Sequence, residues 1–118
     1  MTTNEMKART KSFALRIIKL VEALPSNRTA DVIGKQLVRS GTSVGANYRA
    51  ACRAKSNADF MAKMGTVEEE ADESAFWLEV IVESGLMNEE LVKDLLDEAD
   101  QIVAIMVSSI NTARGHKR

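Results

Sequence analysis

Apolar residues recur every three to four positions along most of this 118-residue chain, the spacing of one helix face. Phe13, Ile17, Leu20, Val21 and Leu24 keep that register until Pro25-Ser26-Asn27 interrupts it. The pattern predicts helices over about residues 4–24, 29–54, 57–84 and 89–112. Thr29 reads as an N-cap for the second helix and Ser56 or Asn57 for the third, with Asp59 in its first turn. Asn88 reads as the N-cap of the fourth, followed by Glu89 and Glu90, which favour the positive end of the helix dipole. Gly85 stands where a left-handed C-terminal residue belongs. β-Branched residues never alternate cleanly with polar ones, so no strand is predicted. Short connections make successive helices antiparallel. The expected fold is all-α, an up-and-down antiparallel four-helix bundle. It forms one domain over residues 1–113, with a flexible tail over 114–118.

The faces of these helices differ. On the third, Phe60, Met64, Val67, Ala71, Ala75, Leu78 and Val82 fall within an arc of roughly 80°, as a core stripe should. Phe76, Trp77 and Val80 fall outside it and form a second apolar patch. The apolar positions of the fourth helix, Leu96, Val103 and Val107 among them, spread over roughly 200°, wider than one buried stripe requires. Those six residues read as an oligomer interface, and a closed, symmetric homo-oligomer is its default form. The alternative leaves Trp77 on its own surface with its stem covered.

On the second helix, Arg28, Lys35, Arg39, Arg49 and Arg53 share an arc of about 80°, opposite Ile33, Leu37, Val44, Tyr48 and Ala51. Gly34, Gly41 and Gly45 line one flank, at a cost of about 1 kcal/mol each relative to Ala. Either a neighbouring helix approaches closely there, or the helix kinks at Ser40-Gly41-Thr42-Ser43. Gln36, Ser43 and Asn47 line the other flank, where Ser43 and Asn47 are placed to bond backbone or a neighbouring helix.

Charge adds a polarity that the net value of −1 hides. Residues 1–64 carry +8 and residues 65–118 carry −9. One reading is intramolecular, a basic helix pair ordered against an acidic pair. The other is a basic face for nucleic acid or an acidic partner. The second-helix stripe, extended by Lys55, could follow a phosphate backbone and release counterions. It could instead pair with Glu68, Glu69, Asp72 and Glu79 of another helix or subunit. Tyr48 points to the core, so no aromatic residue supports base stacking.

Several chemistries find no support. His116 is the only histidine, which argues against histidine catalysis and a bundle di-iron site. Cys52 has no partner for a disulfide and no base beside it, and reads as a small buried residue. The acidic stretch around Glu68-Glu69-Glu70 lacks the ligand types of a transition-metal site, so no metal, cofactor or enzymatic role is expected. The longest apolar runs are too short to span a membrane, and the first residues lack a signal peptide's pattern. A cytoplasmic location is therefore expected.

The stretch Lys35-Gln36-Leu37-Val38-Arg39-Ser40-Gly41-Thr42-Ser43-Val44-Gly45-Ala46-Asn47-Tyr48-Arg49 resembles the signature of a bacterial family. These are the four-helix-bundle proteins encoded by intervening sequences of 23S ribosomal RNA genes. Ser56-x-x-Asp59-Phe60 and Glu70-Ala71-Asp72-Glu73-Ser74-Ala75-Phe76-Trp77-Leu78-Glu79 continue the likeness, which covers roughly residues 10–86. Gln36, Arg39, Ser43 and Asn47 match the family pattern, and Ala50 stands where it usually has Glu. The resemblance implies an up-and-down bundle that assembles as a homopentamer, with no established biochemical activity. It extends to accessory proteins of diversity-generating retroelements, pentameric bundles that bind nucleic acid and a reverse transcriptase.

Overall fold

The computed structural model describes residues 1–115; His116 and the rest of the expected tail beyond Gly115 lie outside them. Each helix begins where a short polar side chain closes its first turn. Thr2 caps α1 (Thr3–Glu22): its hydroxyl accepts from the Glu5 amide, and Glu5 reaches back to the Thr2 amide. Asn27, and not Thr29, caps α2 (Arg28–Ala51). The chain leaves the Pro25 turn extended at Asn27, so that side chain meets the Ala30 amide at 2.8 Å, while Thr29 already lies in the first turn. Ser56 caps α3 (Asn57–Glu83) and Asn88 caps α4 (Glu89–Ala113).

The helix ends are equally local. Gly85, at φ +81°, follows the Ser84 cap. The Leu86 amide then donates to Ile81 and the Gly85 amide to Val82, a complete Schellman arrangement. Helix α2 stops three residues before its expected end. The amides of Arg53 and Ala54 bond back only three residues, and the Lys55 amide is taken by the Asp59 carboxylate. Arg53 and Lys55 therefore stand in the turn beyond α2.

Seams join α1 to α2, α2 to α3 and α3 to α4, with a much shorter seam closing α4 onto α1. The diagonal pairs do not meet, as an up-and-down bundle requires. Phe13, Ile17, Leu37, Val44, Met64, Val67, Leu78, Ile81, Ile102 and Met106 are among the fully buried side chains between them. Burying each large apolar side chain stabilises by about 1.5–3 kcal/mol. On α3 the buried stripe is rotated from the expected one. Phe60 and Val82 sit half-buried at the core margin, while Ile81 and Ser74 go inside. The reason lies on α2: Ser74 Oγ meets the buried Ser40 Oγ at 2.9 Å, so the flank of α3 facing α2 must turn inward.

The glycine flank of α2 faces α1, and α2 runs unbroken through Gly41. A Cβ on Gly41 would stand 2.8–3.1 Å from three atoms of Ile17. One on Gly34 would meet Val21 at 3.0 Å, and one on Gly45 would meet Thr10 at 3.3 Å. Close approach, and not a kink, is what the glycines allow. Gly65 on α3 has nothing within 4 Å. Gly41→Ala should therefore lower stability by about 1 kcal/mol, as overpacking outweighs the gain in helix propensity. Gly65→Ala should raise it by up to about 1 kcal/mol. Urea unfolding of the two variants checks both signs.

Candidate functional surfaces

The six predicted cations of α2 and its exit, Arg28, Lys35, Arg39, Arg49, Arg53 and Lys55, are all exposed. They do not behave alike. Arg39 reaches across to α3, where it pairs with Glu73 through Nη2 and with Glu70 through Nη1. Its partners are thus Glu70 and Glu73, and not Glu68, Glu69, Asp72 or Glu79. Glu70 Oε1 is buried 3.2 Å from Arg39 Nη1 but is not aligned for a hydrogen bond, so it is held by charge alone. Among the described residues the other five cations form no ion pair within the chain.

Glu73 also accepts a hydrogen bond from Trp77 Nε1 at 3.1 Å. The Arg39 hydrogen bond, aided by that of Trp77, holds the Glu73 carboxyl below its ordinary range, and Arg39 is held above its own. Below Arg39 the flank is tied to its own helix. Ser43 Oγ donates to the Arg39 carbonyl at 2.7 Å, and Asn47 Nδ2 donates to the Ser43 carbonyl at 2.8 Å. Gln36 is exposed. Of these four signature residues, Arg39 alone clamps α2 to α3, while Ser43 and Asn47 brace the helix that carries it. Across the bundle, Arg9 on α1 forks onto Glu98 of α4 and also donates to Gln101. The Arg39 and Arg9 ion pairs each join the basic half of the chain to the acidic half.

The apolar candidates divide by exposure. Phe76 is 52% exposed and Val107 38%, while Trp77, Val80, Leu96 and Val103 lie half-buried against the core. Trp77 meets the edge of Phe76, with ring centroids 5.0 Å apart. Leu15 and Val32 are as open as Phe76, on the basic half, and Leu91 is more so on α4. Cys52, expected to be buried, is exposed, because it caps the end of α2. It lines an end cavity of about 590 Å³ with Tyr48, whose phenol burial pushes up.

Sequence reasoning missed a groove of about 580 Å³ between α1 and α2. Lys7 and Lys11 form its α1 rim and Arg49 its α2 rim, over a floor of Ala8, Ala14, Thr42, Gly45 and Ala46. The signal present was Lys7 and Lys11 one helical turn apart, on a helix read only for its core face.

These features define a small helical bundle with a basic half and an acidic half, joined by the Arg39 and Arg9 ion pairs. No described helix is long and apolar enough to cross a membrane. The model of the 23S rRNA-intervening sequence protein family matches residues 2–108, and the chain belongs to that family. The fold is similar to the crystal structure of a protein with unknown function from the S23 ribosomal protein family of Bacteroides thetaiotaomicron. The TM-score is 0.86 at 34% identity, over 94% of this chain and 99% of that one. No curated protein matches the sequence.

Folding lowers the Glu73 carboxyl, so its contribution to stability is full above the ordinary carboxylate value of about 4.3. It is lost as pH falls through the folded-state value. Glu73→Gln should therefore flatten the decline of stability on acidification, and Arg39→Gln should do the same. Thermal melts from about pH 6 to about pH 3 read this; wild-type slopes in both variants would contradict the clamp.

Proposed function

We propose that the chain is a non-enzymatic, cytoplasmic homo-oligomer, a pentamer, that binds RNA or DNA with low sequence specificity. The observation that carries this reading is the set of outward cations on α2 and its exit. Arg28, Lys35, Arg49, Arg53 and Lys55 have no carboxylate partner among the described residues. Arg39 is committed to α3 and drops out of the contact set. Arg28 and Arg53 stand at opposite ends of a helix roughly 36 Å long, so one stripe spans several phosphates. Repetition around an oligomer would add such stripes into one field. Contacts of this kind bind backbone without reading bases.

A second reading is a scaffold that holds another protein, such as a reverse transcriptase, without touching nucleic acid. The exposed Phe76, Leu91 and Val107 on the acidic half favour it.

Fluorescence anisotropy with labelled structured RNA and duplex DNA separates the two. The expected result is micromolar or tighter binding that weakens steeply with salt. Arg28→Gln, Lys35→Gln and Arg53→Gln together should reduce the salt slope by about 2–3 while the oligomer persists. Absence of binding at low salt would leave the scaffold reading.

A further inference from the structure

The two halves of this molecule are opposite in charge, and each presents a distinct surface feature. On the outer face of α3, Phe76 projects with half its surface open. Glu69, Asp72, Glu79 and Glu83 lie within a turn or two of it on the same side, all exposed. None of them forms an ion pair among the described residues. This is an aromatic knob framed by carboxylates. Between α1 and α2 the groove offers the converse. Its floor is Ala, Gly and Thr, its rims are Lys7, Lys11 and Arg49, and the exposed Leu15 stands one turn beyond Lys11.

We infer that the occupant of the α1–α2 groove is α3 of a second copy of this chain, with Phe76 seated on the small-residue floor. The carboxylates around Phe76 then face the cations of the rim. Three observations favour a second copy over other occupants. The opposite charge is carried by the same chain, in a −9 segment against a +8 segment. The exposed aromatic sits among the free carboxylates and not elsewhere. The floor lacks the large side chains that would keep a ring out.

Knob and groove are different patches, on helix α3 and on the α1–α2 pair. Because α1 and α3 make no contact, the two patches face different sides of the bundle. Such a contact is heterologous: each copy gives its knob to one neighbour and its groove to the other, and its repetition gives a ring where the rotation between copies closes. Exposed charges at the contact also make assembly sensitive to salt.

This inference rests on the self-association proposed above, and light scattering on the purified chain separates their failures. A wild-type monomer would overturn both. Given an oligomer, Lys7→Glu/Lys11→Glu should give monomers, and so should Asp72→Lys/Glu79→Lys. All four changes in one chain should restore the wild-type mass, since the charges face each other again. All of these positions lie on the helix exteriors, and unchanged helicity by circular dichroism confirms the fold of each variant. Phe76→Ser should weaken assembly by at least tenfold in protein concentration. An oligomer that survives both charge reversals, or a four-fold variant that stays monomeric, would overturn the pairing. Loss of RNA affinity by Lys7→Glu/Lys11→Glu with the oligomer intact would assign the groove to nucleic acid instead, and overturn it as well.

Discussion

The contact between the glycine flank of α2 and the side chains of Thr10, Ile17 and Val21 is the constraint on which the surfaces depend. Without Cβ atoms at 34, 41 and 45, the two helices lie close enough for α1 to bring its lysines alongside the cations of α2. Gly45 is at once part of that contact and part of the groove floor. A residue that costs helix propensity therefore does two things: it closes the core on one side and leaves a trough on the other. The opposite flank of α2 is fixed by different means, a buried serine pair and an arginine shared between two glutamates.

These two flanks explain why the halves of the chain differ in charge. Among the described residues, ion pairs between helices form where a basic element neighbours an acidic one, at α2–α3 and α4–α1. The α1–α2 side is left with unmatched cations and the α3–α4 side with unmatched carboxylates. Such pairs contribute little each at an exposed site. Their larger effect is to disfavour arrangements that would set like charges together.

Much of this was legible in the amino-acid pattern, and the misses are physical. Helix periodicity and caps placed all four helices, because these depend on residues a few positions apart. The N-cap shifted from Thr29 to Asn27 because the turn geometry at Pro25 decides which side chain is extended. The rotation of α3 was hidden because Ser74 is polar; only its partner Ser40, 34 positions away, makes it a core residue. The pairing of Arg39 with Glu70 and Glu73 was hidden likewise, since a wheel shows direction but not who stands opposite. The groove was invisible for the same reason: its rims come from two helices, and neither helix alone is unusual.

The short seam between α4 and α1 has a kinetic meaning. Nearly all the packing joins helices that follow one another in the chain, and only that seam joins its ends. Topologies dominated by neighbouring elements close small loops first and fold fast. The hairpins α1–α2, α2–α3 and α3–α4 can thus form in succession, each on the one before, as a nascent chain lengthens. The Arg9–Glu98 fork joins the two helices most distant in the chain, so it is the ion pair with the longest loop to close.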